Sequence, residues 1–331
     1  MTNQIFIPTV AKFKEDIETS LGVQEPLVTA GYKPGLMLVI LGGLKGITTD
    51  AEKQYANLRD IKPRYPQDSQ IVTMLSNMPI EEIDFLHNAD YATGHVRQGI
   101  DFARGLPIGG RRILTFHLNT LVSKEEFLAE SAQNWRNVFH RDIEPRLREI
   151  GLHARNQGIE VKVETVPVPE FGDIPSSDER IYRGVKLHQL RNPFYLTARW
   201  GFDELYDTGL GVCLDVCHTR TIYKVAESSV TKGILHDFNI SELDGCVLFD
   251  DLRHLRSSDL IHLNDGDGIY SETNDTLFRE GVPLGQGDIR DLRDIIKYIN
   301  TNKIPFVLEV NEQDFKKRPN TKDSIDYLLR L

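Results

Sequence analysis

The chain has 331 residues, of which 40% are hydrophobic and 27% charged, and its net charge is −10. This length can bury one large core, and the composition is that of an ordinary globular enzyme. The acidic surplus argues against nucleic acid as a partner, because phosphate binding normally needs a basic surface. No apolar run is long enough for a bilayer and the start does not resemble a leader, so we predict a cytoplasmic protein without membrane association. The sequence is compatible with a homo-oligomer.

Short apolar runs alternate with longer amphipathic segments along the chain, a rhythm typical of βαβ units. Eight such runs, the number that a closed barrel needs, predict a single (β/α)₈ TIM barrel domain over residues 1–331 with elaborated βα loops. Residues 1–70 fit this barrel by topology alone, and the first run contains a proline. The predicted strands are Ile5–Thr9, Leu36–Leu41, Ile71–Leu75, Arg112–Leu118, Ile159–Thr165, Gly211–Asp215, Asp259–Asn264 and Pro305–Val310.

Two segments between strands carry clear helical signals. Ser123 followed by Glu126 predicts a capping box at the start of a helix over Ser123–Gln157. Asp288 is predicted to cap a helix over Asp288–Asn300. The long connections Val166–Leu187 and Val225–Arg256 are typical of lids or specificity loops over a barrel mouth.

Polar residues interrupt the apolar runs where the later strands end. The fifth to eighth strands close on Glu164, Asp215, His262 and Glu309, and the fourth adds His117. A lone acid or histidine at a strand end is usually solvated or hydrogen-bonded. Four in consecutive strands, however, converge at the carboxyl end of a parallel barrel and would repel one another without a cation.

The four strand-end residues therefore predict one divalent metal site. A set of carboxylates and an imidazole suits Mn²⁺, Zn²⁺, Co²⁺, Mg²⁺ or Fe²⁺ rather than a metal that prefers thiolates.

The motifs GVCLDVCHTR and IHLNDGDG resemble those of the xylose-isomerase-like barrels, which include sugar isomerases, sugar epimerases and endonuclease IV. The Asp-x-x-His element at Asp215 and the His-x-Asn-Asp element at His262 are especially like those of endonuclease IV. The resemblance covers roughly residues 70–331, and it implies that Glu164, Asp215, His262 and Glu309 hold a metal. It further implies a second ligand group at His117 and a third at His218, both incomplete. Asn77 stands where one histidine is expected, and Arg279–Gly281 contains none.

A single complete metal set is the pattern of the isomerase and epimerase branch. The resemblance then implies a sugar, sugar phosphate or polyol substrate and proton transfer at a carbon beside a metal-bound carbonyl or hydroxyl. Glu164 and Glu309 would act as acid and base, and His218 as a catalytic hydrogen-bond donor.

Four residues are candidates for contacts with the substrate. Lys162 shares the strand parity of Glu164, although an interior lysine paired with a carboxylate is an alternative. Gly285 and Gly287 either let backbone amides approach a phosphate or only make a turn. The predicted substrate contacts are His117, His218, Lys162 and Asp265.

A lyase would be a close variant of the predicted sugar isomerase or epimerase. Two other classes of function are alternatives to it. The motifs at Asp215 and His262 also suit an apurinic endonuclease of the endonuclease IV type. The third class is a non-catalytic barrel that binds a metabolite, since a fold does not guarantee activity.

Overall fold

Eight parallel strands close into a barrel in a computed structural model that describes residues 3–40, 43–65, 70–75, 83–108, 110–167, 179–194, 198, 200–227, 247–268 and 278–331. Each strand pairs with its neighbours in chain order, and the last pairs with the first, so the predicted (β/α)₈ fold is confirmed. The barrel strands are β1 (Gln4–Thr9), β2 (Lys33–Ile40), β3 (Ile71–Leu75), β4 (Arg112–His117), β5 (Glu160–Glu164), β6 (Gly211–Asp215), β7 (Leu260–Leu263) and β8 (Phe306–Leu308).

Helices surround the barrel on its outer side. None of those described combines the length and apolarity that crossing a membrane requires. The α-helices are Lys14–Gly22, Glu25–Thr29, Gly43–Ile61, Ala89–Gly105, Lys124–Ala129, Ala132–Val138, Glu144–Gln157, Phe202–Asp207, Val216–Glu227, Val247–His254, Leu292–Asn302 and Pro319–Leu329.

The barrel interior is filled by side chains of alternating strand residues. Seven strands each contribute one fully buried residue to an inner cluster, and β5 contributes the mostly buried Lys162 instead. Burying such an apolar side chain stabilises the fold by ~1.5–3 kcal/mol. The seven residues are Phe6, Met37, Val72, Ile113, Cys213, Leu260 and Val307.

The proline in the first predicted strand is compatible with the sheet. Pro8 lies in β1, and β1 pairs with β8 only through Ile5 and Phe6. The missing N–H of Pro8 therefore leaves the ladder between β1 and β8 intact.

Both predicted helices differ from those observed. The capping box at Ser123 is confirmed, but the helix ends at Ala129 because Glu130 is extended and Ser131 caps a new helix. The single-helix prediction over Ser123–Gln157 is thus wrong. The later helix begins at Leu292 with Asp291 as its N-cap residue, so its predicted start at Asp288 is also wrong.

Among the described residues, three short antiparallel strand pairs stand outside the barrel: Val122–Ser123 with Leu190–Arg191, Ile181–Tyr182 with Val185–Lys186, and Asp265–Gly268 with Phe278–Val282. The second pair lies within the predicted loop Val166–Leu187. Tyr182 ties it to the segment after β3 by donating a hydrogen bond to the buried Asp84 at 2.8 Å. Residues 168–178 and 228–246 of the two long predicted loops, and Asn77, lie outside the described residues.

Candidate metal centre and active site

The strand register places the strand-end residues side by side. His117 is the Cα partner of Glu164 across β4 and β5, and Asp215 is that of His262 across β6 and β7. Glu309 follows β8 directly and donates its backbone N–H to Leu263 O at 3.0 Å. Because all these strands are parallel, the five residues meet at the carboxyl edge of the barrel.

Glu164, Asp215, His262 and Glu309 form one compact group of potential ligands. Each offers one ligand atom, and these atoms all lie within 4.8 Å of one another. Two carboxylate oxygens approach the same ring nitrogen, since His262 Nδ1 lies 3.0 Å from Glu164 Oε1 and 2.6 Å from Glu309 Oε2. One nitrogen carries at most one proton and can donate to only one of them.

A second observation supports the fit of these four residues to a divalent cation. Glu164 is almost fully buried, yet its Oε2 has no hydrogen-bond partner within the described part of the chain. A buried carboxylate oxygen without a partner is costly, and a cation among three carboxylates and an imidazole would remove that cost. Carboxylate and imidazole ligands suit the divalent ions predicted from the sequence.

The charges of the group shift the pKa values of its members. Burial would raise the pKa of Glu164, but the imidazoles of His262 and His117 outweigh it and hold that pKa well below the ordinary value. Burial would lower the pKa of His262, but the groups around it, including Glu164 and Glu309, raise it well above its usual range. Burial raises the pKa of Asp215 to about 6. The group thus attracts positive charge where a metal would bind.

The Asp-x-x-His and His-x-Asn-Asp motifs are explained by local hydrogen bonds. Asp215 Oδ1 accepts the backbone N–H of His218 at 2.7 Å and so caps the helix that follows β6. Asn264 donates its side-chain amide to Asp215 Oδ2 at 2.8 Å and accepts the backbone N–H of Cys217. Both oxygens of Asp215 are therefore fixed in orientation by the two motifs.

The last residue of the second motif, Asp265, organises the glycine turn. Its two carboxylate oxygens accept backbone N–H groups from Gly285, Gly287, Ile289 and Gly266. A Cβ at Gly287 would lie 2.3 Å from Asp265 Oδ1, so this approach requires glycine. The backbone amides of Gly285 and Gly287, which the sequence analysis considered for phosphate binding, thus donate to Asp265. Asp265 therefore holds the turn together.

Lys162 does not join the group at the carboxyl edge. Its Nζ lies 3.3 Å from Glu160 Oε2 and 3.8 Å from Asp259 Oδ1, at the amino ends of the strands. This geometry matches the alternative of an interior lysine paired with carboxylates and separates Lys162 from the other predicted substrate contacts.

His117 and His218 lie beside Glu164, with ring centroids 5.6 Å apart. His117 Nε2 is 3.1 Å from Glu164 Oε1, and His218 Nδ1 is 3.8 Å from the same oxygen. These three residues form a second group that could hold a metal ion.

His218 is a cation in this arrangement. Its Nδ1 lies 2.8 Å from Thr165 O, and its Nε2 lies 3.0 Å from Glu280 Oε2. A carbonyl only accepts hydrogen bonds, so Nδ1 carries a proton, and Nε2 donates to the carboxylate. Burial opposes this charge, but Asp215 and Glu280 raise the pKa of His218 well above its ordinary value.

Glu280 is the residue that the sequence did not single out. The stretch Arg279–Gly281 attracted notice only for the histidine it lacks. Its strand, Phe278–Val282, pairs with Asp265–Gly268 and thereby carries Glu280 back over the mouth to His218. The sequence gives no motif that links Glu280 to His218, because the two residues are 62 positions apart in the chain.

Solved structures of sugar epimerases and isomerases resemble this chain over nearly its full length. A D-tagatose 3-epimerase-like protein matches 100% of this chain and 97% of its own, with 16% identity and a TM-score of 0.55. An L-ribulose 3-epimerase matches 100% of this chain and 94% of its own, with 14% identity and a TM-score of 0.55. A xylose isomerase domain protein from Planctomyces limnophilus matches 99% and 95%, with 13% identity and a TM-score of 0.53.

The chain has the xylose-isomerase-like barrel fold. The resemblance drawn from the strand-end motifs is thus confirmed at the level of the fold. No protein-family model matches the chain, and no curated protein sequence matches it.

Proposed function

We propose that this protein is a sugar isomerase or epimerase that uses one divalent metal ion. The observation that carries the proposal is the convergence of Glu164 and Glu309 on one nitrogen of His262, with Asp215 beside them. The barrel fold supports the class of reaction, since the epimerases and isomerases named above share it. A carbohydrate-like small molecule is the proposed substrate.

A divalent ion held by these four residues would act as a Lewis acid toward adjacent sugar oxygens and so acidify a neighbouring C–H bond. Asp215 supplies a ligand whose orientation is fixed by Asn264 and by the backbone of His218. The second carboxylate oxygen of Glu164 is buried and has no competing hydrogen bond in the described chain. The protein therefore provides a preorganised acceptor set.

Glu164 and Glu309 are proposed to move the proton. They come from β5 and β8, so they flank Asp215 and His262 from two sides. The Glu309 side chain is 27% exposed, whereas that of Glu164 is 1% exposed. Glu309 would exchange its proton with water, and the buried Glu164 would keep its proton shielded. In an epimerase one carboxylate takes the proton from carbon and the other returns one to the opposite face.

His218 would act through its positive charge rather than as a base or a hydrogen-bond donor to the substrate, because its two N–H groups are directed at Thr165 O and Glu280 Oε2. It would stabilise negative charge that develops on a substrate oxygen. His117, held against Glu164, is proposed as a second contact to the substrate.

The test is solvent exchange at carbon. The protein, loaded in turn with Mn²⁺, Co²⁺, Mg²⁺ or Zn²⁺, is incubated in D₂O with a panel of ketoses, aldoses, their phosphates and polyols. Proton NMR is expected to show deuterium entering one C–H position of a substrate, and Glu164→Gln and Glu309→Gln are expected to abolish it. Glu149→Gln, a half-exposed acid in the helix Glu144–Gln157, is the matched control and keeps full exchange. Ligand binding without exchange across the panel would instead favour a non-catalytic metabolite-binding barrel.

One observation also favours the endonuclease alternative. His117, Glu164 and His218 form a second potential ligand group that shares Glu164 with the first, and phosphodiester cleavage by endonuclease IV depends on several metals. Incubation of a duplex containing an abasic site with the zinc-loaded protein separates the two functions. Efficient nicking that Glu164→Gln abolishes would replace the isomerase or epimerase proposal.

A further inference from the structure

A cavity opens at the end of the barrel opposite the ligand group. Its volume is about 290 Å³, and it lies at the amino ends of β5, β6 and β7, between the helices Glu144–Gln157 and Phe202–Asp207. Its lining includes the charged residues Lys162, Asp259, Arg155 and Arg256 and the aromatic Tyr206.

Two glycines keep this cavity open. A Cβ at Gly211 would lie 2.6 Å from Lys162 Nζ, and one at Gly209 would lie 2.9 Å from Arg155 Nη2. Gly209 also has a φ of +83°, which disfavours other residues. The space beside the two cationic groups thus depends on residues without side chains.

The acidic side chains of the cavity are already engaged. Asp259 accepts hydrogen bonds from the backbone N–H of Val212 at 3.0 Å, from Tyr206 Oη at 2.5 Å and from the backbone N–H of Arg256 at 2.7 Å. Glu160 is bound by both ends of the Arg111 guanidinium, with Lys162 Nζ at 3.3 Å. Both carboxylates are thus already paired with hydrogen-bond donors or cations other than the two remaining arginines.

Arg155 and Arg256 have no acidic partner within ion-pair distance in the described part of the chain. The Arg256 guanidinium lies over the Tyr206 ring, 3.5 Å from its centroid, which fixes its position. Lys162 is buried, and this burial lowers its pKa although Asp259 and Glu160 oppose the shift. A nearby anion would stabilise its charged form. The cavity therefore combines three cationic groups with two acids, in a chain whose net charge is −10.

We propose that this cavity binds a small phosphate-bearing anion, with Arg155 and Arg256 as its ligands and Lys162 beneath it. Guanidinium groups bind phosphate oxygens in pairs, and the stacked Arg256 is preorganised for this contact. The volume suits a phosphate group with a small attached metabolite. Since Glu164 lies at the opposite end of the barrel, the anion is a separate ligand and not the substrate of the metal centre.

Isothermal titration calorimetry with inorganic phosphate, against chloride at matched ionic strength, tests the proposal. Saturable binding is expected, and Arg155→Gln and Arg256→Gln are each expected to weaken it by ~10-fold or more, as loss of a charged hydrogen bond implies. Arg293→Gln, an exposed arginine on the helix Leu292–Asn302, removes the same charge elsewhere and should leave binding unchanged. Ribose 5-phosphate and ribose, compared in the same way, separate a phosphorylated metabolite from free phosphate.

Two results would overturn the proposal. One is the absence of saturable phosphate binding, or binding that survives both arginine substitutions in folded protein. The other is binding lost in Glu164→Gln, which would assign the phosphate to the metal centre. Persistence of binding in Glu164→Gln supports the cavity even if the isomerase or epimerase proposal fails.

Discussion

Asp251 gives this fold a pH dependence whose size can be worked out. Its carboxylate is buried in the helix Val247–His254, where it accepts hydrogen bonds from the backbone N–H of Ala198 at 2.6 Å and from the Tyr223 hydroxyl. Burial raises its pKa from 3.8 to about 6 although both donors oppose the shift. The folded chain therefore holds this proton more tightly than the unfolded chain does.

The sign follows from this difference in affinity for the proton. The stability contributed by protonated Asp251 is complete below about pH 4 and is lost as the pH rises through about 6. Each pH unit between the two pKa values corresponds to ~1.4 kcal/mol, so the loss approaches ~3 kcal/mol at neutral pH. Asp251→Asn cannot ionise and keeps an acceptor for Ala198. The free energy of unfolding of the variant should thus rise by ~3 kcal/mol relative to the native chain between about pH 4 and about pH 7.5.

Urea unfolding of both proteins across this range measures the difference directly. Asp250→Asn is the matched control, since that neighbour is 45% exposed in a pair with Arg253 at 3.2 Å. Surface pairs contribute only ~0–1 kcal/mol, so its effect should stay within that range at every pH. A difference for Asp251→Asn that stays constant, or that falls as the pH rises, would refute the reasoning.

Two further predictions concern the glycine turn and the metal. Gly287→Ala should lower the free energy of unfolding by ~2–3 kcal/mol, because its Cβ would meet Asp265 and break the turn's hydrogen bonds. Gly94→Ala, where nothing lies within 4 Å, should instead raise it by ~0.5–1 kcal/mol, and equal effects in the two variants would contradict this explanation. A divalent ion at ~100 times its Kd should stabilise the protein by ~2.7 kcal/mol in thermal unfolding, reversibly with a chelator. Asp215→Asn should remove most of this gain, and a gain of unchanged size would exclude Asp215 as a ligand.

The barrel could be predicted because buried parallel strands appear in sequence as continuous apolar runs with polar ends. Pro8 does not prevent β1 from forming, since the strand pairs with β8 only before that residue. The break at Glu130 was not predicted from the sequence, although Ser131 is itself a capping residue. The helical spacing of apolar residues after the break led to the prediction of one continuous helix. Asp288 resembled a helix cap but pairs with Arg220, which lies 68 residues away in the chain.

The candidate site was predictable to the extent that strand ends define it. Glu164 and its three companions follow from the geometry of a parallel barrel, in which all carboxyl ends share one edge. Lys162 has the inward parity predicted for it, but parity does not say toward which end a long flexible side chain extends. Glu280 reaches the site through a strand pair outside the barrel, and contacts across such distances leave no periodic pattern in a sequence.

The four ligand candidates lie at the carboxyl ends of the last four barrel strands, β5 to β8. The first four strands, β1 to β4, complete the barrel and contribute His117 as their one predicted site residue. Recombination that exchanged the first four strands for those of a related barrel would therefore change residues at the mouth of the barrel while leaving the four ligand candidates in place. The ligand candidates and the rest of the rim can in this way vary separately within one gene.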